Sequence, residues 1–260
     1  MKKDNKFEIG IVVGLVILTI ILLGIYAIIE IINKRKSYTL FVFPYTVLEC
    51  TKWKCEDKSV NIGEYNSNKY ITYIDGEYTG INKVLYNNKN IKMYVFDDNN
   101  KNIFKDKNYL LAYKGYPTIK QYSFTINDLN DSSIINKLSD VSKMSLNQIK
   151  YIKYDFDGDS ENEYLYISNS GFTASKYYNL MVYRDEDRYQ VIENEIVDDF
   201  TDNSLLSITN LVDIFDDNKI EFIVTKEYYD QKGYCNVLYR LKGKKFVPVN
   251  ECNIIGIGNS

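Results

Sequence analysis

Histidine is absent from all 260 residues. That absence excludes Ser-His-Asp and Cys-His nucleophilic catalysis, zinc sites with imidazole ligands, and histidine-based pH switching. Any chemistry has to run on carboxylates, Lys, Tyr or Cys. A charge excess is lacking too. The net charge is −3, from 32 basic and 35 acidic side chains. No global field therefore gathers nucleic acid, and no nucleic-acid partner is expected. Proline is rare at 3 residues, tryptophan occurs once, and alanine is scarce. In their place stand 25 Tyr with abundant Ile, Asn and Asp. Tyr, Ile and Val favour strands, while Asn and Asp favour turns. The composition predicts a mainly β protein.

One long uncharged run is present, residues 9–29, "IGIVVGLVILTIILLGIYAII". At about 1.5 Å per residue this run matches ~30 Å of hydrocarbon, which predicts one N-terminal transmembrane helix. A cleaved signal peptide would have an apolar region of ~7–15 residues ending in an A-x-A-like site. This run is longer and has no such site. Residues 1–36 are therefore expected to form a short tail and an uncleaved signal anchor. The flanking charges do not orient it: Lys2, Lys3 and Lys6 precede the run, and Lys34, Arg35 and Lys36 follow it. Gly10 and Gly14 make one G-x-x-x-G, a pointer to helix pairing and to an oligomer.

The cysteines decide the orientation. All four, Cys50, Cys55, Cys235 and Cys252, follow the apolar run. Between the last two lie two strand-like runs around "KGKK". A two-residue turn at Gly243-Lys244 makes cross-strand partners sum to 487, and Cys235 and Cys252 satisfy that sum. Directly opposed Cβ atoms in a hairpin lie ~4.5–5.5 Å apart or closer, near disulfide geometry. Cys50 and Cys55 flank "TKWK" and form either a small local disulfide or a pair of thiols. A zinc site there would need two more ligands. Disulfides imply an oxidising compartment, so residues 37–260 are expected outside the cytoplasm.

Residues 37–124 alternate apolar and polar side chains between turn signals such as Asp75-Gly76, and are expected to form a small β meander or barrel. In residues 125–150, Ile134, Ile135, Leu138 and Val141 recur at helical spacing, which predicts a helical connector capped by Asp131, Ser132 or Ser133. Residues 151–260 contain a repeat. "DFDGDSENEYLYIS" and "DIFDDNKIEFIVT" begin 58 residues apart, at Asp155 and Asp213. Each is followed by a strand ending in Tyr-Arg, at Tyr183-Arg184 and Tyr239-Arg240, then a turn and another strand. The repeat predicts two propeller-blade-like β units. Two copies cannot close a propeller, so they must pack on each other, on the first module or on a second chain.

The first copy carries the candidate site. Asp155, Asp157 and Asp159 occupy positions 1, 3 and 5 of the loop and Glu163 position 9. Alternate side chains of a tight loop converge on one point, and hard oxygen ligands there suit Ca²⁺, which takes 6–8 oxygens at ~2.3–2.6 Å. Gly158 permits the required backbone, and the main chain near Glu161 offers a further oxygen, with the Glu161 side chain directed to solvent. The loop is no EF-hand, because position 6 is Ser160 and position 12 is Tyr166. Its competing reading is a solvated acidic turn. A catalytic carboxylate pair is a third reading, although no acid stands in a recognisably apolar pocket.

The pattern D-x-D-G-D-x-x-x-E followed by an apolar strand resembles the FG-GAP/VCBS repeat, the calcium loop of integrin-α-like propeller blades. Ser160 stands where that family has a second Gly, and the Phe-Gly and Gly-Ala-Pro signatures are absent. The resemblance implies a structural Ca²⁺ in an extracellular protein whose binding surface lies elsewhere. In the second copy Asp213, Asp217 and Glu221 match positions 1, 5 and 9, but position 3 is Phe215 and Asp216 sits at position 4. The turn is expected to survive there with metal binding weakened or lost. The sequence thus describes a single-pass membrane protein with a non-enzymatic extracytoplasmic binding or envelope-associated region, whose expected partner is a glycan or protein of the envelope. A carboxylate-dependent enzyme of the cell envelope and a structural subunit of a membrane complex are the alternatives.

Overall fold

The computed structural model describes residues 15–28, 38–42, 46–51, 55–58, 68–87, 92–105, 110–115, 119–146, 148–173, 176–197, 204–228, 233–252 and 255–256. The protein is mainly β, in antiparallel sheets. Of the expected span, residues 15–28 form helix α1, and residues 9–14 and 29 lie outside the described residues. Among the described residues, no helix is long and apolar enough to cross a membrane. Every residue of α1 is exposed, and its hydroxyl at Thr19 donates back to the Leu15 carbonyl at 2.9 Å.

The first sheet holds seven strands: β1 (Tyr38–Val42), β2 (Thr46–Cys50), β3 (Cys55–Asp57), β4 (Lys69–Ile74), β5 (Glu77–Asn87), β6 (Lys92–Phe96) and β7 (Leu110–Gly115). Their order is β3-β2-β1-β7-β4-β5-β6. β7 separates β1 from β4, so the sheet is no simple meander, and among the described residues its edges stay apart rather than closing a barrel. Asp75 and Gly76 both take positive φ between β4 and β5, as a two-residue hairpin turn requires.

Two short strands follow, β8 (Lys120–Tyr122) and β9 (Asn127–Asp128), then helix α2 (Ser132–Ser142). Asp131 caps α2 by accepting from the Ser133 and Ile134 amides, and Lys143 ends it in the left-handed region. The first repeat comprises β10 (Lys150–Tyr154), β11 (Glu163–Thr173), β12 (Lys176–Asp185) and β13 (Arg188–Val197). The second comprises β14 (Ser204–Asp213), β15 (Glu221–Tyr228), β16 (Gly233–Lys242) and β17 (Lys245–Pro248), with β18 (Ile255–Gly256) beside β16. Each repeat is a four-stranded meander, with β9 added to the inner edge of the first and β8 to that of the second. β9, from the connector, therefore joins the first repeat, while β8, from the end of the 37–124 module, joins the second.

Four apolar layers separate these elements. Leu138 of α2 packs with Tyr166, Leu180 and Val182 on one face of the first repeat. The other face, with Ile152, Leu165, Met181 and Tyr183, meets Phe222, Val224, Val237 and Tyr239 of the second repeat. The second repeat's remaining face, with Val212, Ile223 and Leu238, meets Leu40, Leu48, Leu111 and Tyr113 of the seven-stranded sheet. That sheet's far side buries Phe41, Tyr70, Val84 and Val95. Positions 58 residues apart, such as Leu165 and Ile223, face successive layers, so the repeats stack front to back.

Side-chain amides fasten the stack. Gln190 of β13 accepts from the Phe246 amide at 2.8 Å and donates to its carbonyl at 2.7 Å. Asn169 of β11 treats Leu206 in the same way, at 3.1 and 2.8 Å. Each amide substitutes for a missing strand neighbour, which keeps a buried backbone pair satisfied. Lys226 meets Glu193 across the first and second repeats at 3.0 Å, and the Tyr239 hydroxyl donates to the same carboxylate.

Both disulfides form, Cys50–Cys55 and Cys235–Cys252. Cys50 lies directly opposite Cys55 in the β2–β3 pair. The β16–β17 register pairs Lys242 with Lys245 and Tyr239 with Pro248; carried on past the end of β17 it would set Cys235 opposite Cys252, and their Cα atoms lie 5.4 Å apart. Gly243 takes φ +61 at that turn.

Candidate metal centre

The first acidic loop joins β10 to β11, where Tyr154 pairs with Glu163. Its backbone folds around its own carboxylates. Asp155 accepts from the Gly158 amide at 2.7 Å and the Ser160 amide at 2.9 Å. Asp157 accepts from Asp159, and Asp159 from Glu161, at 3.2 and 2.8 Å. Glu163 reaches back to the Phe156 amide at 2.7 Å. Gly158 and Ser160 take φ +82 and +75, which curls the chain. Phe156, at position 2, plunges into the layer between the repeats, with Tyr183, Phe222 and Phe246 rings around it.

Asp155, Asp157, Asp159 and Glu163 each offer an oxygen, and these oxygens lie within 4.8 Å of one another. Ligands on a sphere of ~2.3–2.6 Å radius are at most about 5 Å apart, so the four fit around one Ca²⁺. Glu161 stays exposed and does not join them. Glu163 is only 4 % exposed. Burial pushes its carboxyl up to about 7, with Asp157, Asp155 and Asp159 adding repulsion and the Phe156 amide opposing it. Burial also raises Asp157, helped by Asp159, Asp155 and Asp185. Such crowding disfavours ionisation unless a cation neutralises it.

The second loop, between β14 and β15, repeats much of this frame. Glu221 accepts from the Ile214 amide at 2.8 Å, as Glu163 does from Phe156. Asp213 accepts from Asp217 and Asn218, and Asp217 from Lys219. Asp216 and Asn218 take φ +53 and +59, at the positions of Gly158 and Ser160. Asp216 is exposed and Phe215 is buried in the next apolar layer, so neither supplies the missing ligand at position 3. Burial holds Glu221 well above the usual carboxylate range and raises Asp213.

The loops touch. The Ile220 amide donates to the Phe156 carbonyl at 2.9 Å, and a Cβ on Gly158 would lie 2.7 Å from the Asn218 carbonyl oxygen.

The two Tyr-Arg pairs, matched by sequence offset, are not equivalent. Tyr183 pairs with Leu165, two residues past Glu163, whereas Tyr239 pairs with Phe222, one residue past Glu221. Extending each register by one step sets Asp185 opposite Glu163 and Arg240 opposite Glu221. Arg184 consequently faces outward, over the Tyr164 and Tyr189 rings. Arg240 faces the second loop. Its Nη2 meets Asp217 at 2.8 Å, its Nε lies 3.7 Å from Glu221, and its guanidinium stacks 3.9 Å over Phe215. Reading the sequence alone missed both Asp185 and Arg240. The parity of the hairpin between each Glu and its partner was the signal, hidden by the register shift at Gly171–Thr173.

A cavity of about 710 Å³ lies elsewhere, lined by Ile126, Asp128, Lys150, Leu205, Ile208 and Glu227 among others, and includes none of the loop acids. Taken together, these features make a stacked β-repeat structure in which, among the described residues, one loop brings four carboxylates together. Compared with known proteins, the chain matches no family model, no curated protein and no solved structure.

Proposed function

We propose that this is a membrane-anchored, extracytoplasmic β-repeat protein that binds or associates with a glycan or protein of the cell envelope. A Ca²⁺ at Asp155, Asp157, Asp159 and Glu163 holds its repeats in register. The observation that carries this reading is the convergence of four carboxylates, one of them buried, within 4.8 Å. Glu163 shares its loop with Phe156, whose ring is clasped by the second repeat, so neutralising the loop also fastens the seam between repeats. The likeness to FG-GAP/VCBS calcium loops belongs to this reading. Two disulfides support an oxidising compartment. The exposed apolar side chains of α1, from Leu15 to Ile28, support an anchor.

The test is thermal melting of the full chain in detergent, with calcium and with chelator. Calcium at ~100 times its Kd adds about 2.7 kcal/mol, and Asp157→Ala removes that gain. Identical melting curves under both conditions would reduce the loop to a turn. Labelling with a membrane-impermeant thiol reagent, before and after lysis and without prior reduction, tests the placement: Cys235 and Cys252 protected in intact cells but free on lysis would put the β region in the cytoplasm.

A further inference from the structure

The second loop has kept the frame of the first and lost its position 3 carboxylate, yet Asp213 and Glu221 remain 1 % and 0 % exposed. Burying two carboxylates beside Asp217 without a counter-charge is costly. The counter-charge present is Arg240. Its guanidinium reaches position 5 through Asp217 and lies beside position 9 through Glu221, and it covers the ring at position 3. A planar guanidinium over an aromatic face is a favourable pairing for a desolvated cation. The guanidinium is thus seated among the residues at positions 3, 5 and 9, three of the four positions whose carboxylates converge in the first loop.

At the same register position the first loop carries Asp185, of the opposite charge. Asp185 is not one of the four converging groups, but its charge acts on Asp157. Its own cationic neighbours, Arg188 and Lys244, stand at the rim, 3.8 Å away in each case. The two loops therefore differ in two places, position 3, where Phe215 stands for Asp157, and the residue opposite the position 9 glutamate, where Arg240 stands for Asp185.

We propose that Arg240 is the built-in cation of the second loop, so that the protein takes one Ca²⁺ per chain, and that Asp185 against Arg240, together with Asp157 against Phe215, decides which loop takes it. The stoichiometry rests on the calcium reading of the first loop; the role of Arg240 does not. Glu221 Oε1 and Arg240 Nε lack hydrogen-bond partners, and the 3.7 Å between them is too long for a direct bond. The two groups are anchored by other partners, Arg240 Nη2 on Asp217 at 2.8 Å and Glu221 Oε2 on the Ile214 amide at 2.8 Å.

Calorimetric titration of the full chain in detergent with calcium chloride tests this. Wild type is expected to take one ion, Asp185→Arg none or one bound more than about tenfold more weakly, since ligand charge tunes such sites. Phe215→Asp/Arg240→Asp is expected to take two, with far-UV circular dichroism confirming the fold. Two ions on wild type, or one on the folded double variant, overturns the assignment of Arg240. No ion on wild type defeats the calcium reading of the first loop alone; in that event one ion on the double variant still upholds Arg240, and none overturns it. Should the double variant not fold, Asp185→Arg carries the test, and undiminished calcium affinity overturns the proposal.

Discussion

The contact between the loops is open to a controlled test at Gly158. This residue sits at φ +82, where a Cβ would approach the Asn218 carbonyl oxygen to 2.7 Å. Gly158→Ala therefore brings two costs. The left-handed conformation costs an L-residue roughly 1–2 kcal/mol. The close approach adds a second cost, because its partner is backbone. Asn218 is itself held at φ +59, and its amide is tied to Asp213 at 3.3 Å, so the oxygen cannot swing aside as a side chain would. The second loop must retreat by several tenths of an ångström, stretching the Ile220–Phe156 bond. Overpacking of this kind costs about 1–3 kcal/mol. The sum is roughly 2–5 kcal/mol. Gly243→Ala is the control. Gly243 has φ +61 with nothing within 4 Å of its added Cβ, so it incurs only the conformational cost of about 1–2 kcal/mol. Urea denaturation of both variants in detergent with chelator, followed by circular dichroism, gives the comparison. A deficit for Gly158→Ala exceeding that of Gly243→Ala by ~1–3 kcal/mol is expected. Equal losses at unchanged m-value would show that the loops do not press on each other, and the seam argument would fall with them.

Two further outcomes follow from the structure. Replacing Cys235 and Cys252 by Ser opens a loop with a sequence separation of 17 and should lower stability by about 3 kcal/mol in the chain-entropy account, read from denaturation midpoints. A loss below about 1 kcal/mol would mean that the β16–β17 register is held without the bridge. In chelator, Glu163 titrates near 7 in the fold against 4.5 unfolded. A raised carboxyl gives stability that is present below pH 4.5 and is lost as pH rises through about 7, on the order of 2–3 kcal/mol. Glu163→Gln should abolish that slope, and coincident pH profiles for the two chains would refute the burial cost assigned to this carboxyl.

How much of this was legible in the sequence depended on distance along the chain. The Cys235–Cys252 pair could be read because a two-residue turn fixes the parity of every pair beyond it. The carboxylates at positions 1, 3, 5 and 9 could be read because one loop holds them all. Arg240 could not, because the hairpins from Glu163 and Glu221 to their partners differ by three residues in length and so by parity. An odd difference turns Arg184 to one face and Arg240 to the other, although both follow a Tyr. The strand β9 was missed for another reason: two residues are too few to show a period; β8 falls within the expected β module, but its pairing with the second repeat did not show. The insertion of β7 between β1 and β4 is set by long-range packing, which local pattern does not encode.

Front-to-back stacking explains why two copies suffice. A repeat that offers each neighbour a different face cannot finish its own stack, so both ends need covers of another kind. Helix α2 covers the outer face of the first repeat, and the seven-stranded sheet covers the last face of the second. Each loop drives its position 2 residue into the seam ahead of it, Phe156 between the repeats and Ile214 against the seven-stranded sheet. On the proposed reading, a cation stands over each seam. The seam beside β1 carries Arg240 and holds whatever the calcium level. The seam between the repeats carries four carboxylates and tightens only when calcium is supplied. Calcium then adjusts how the first repeat sits on a base that is already fixed.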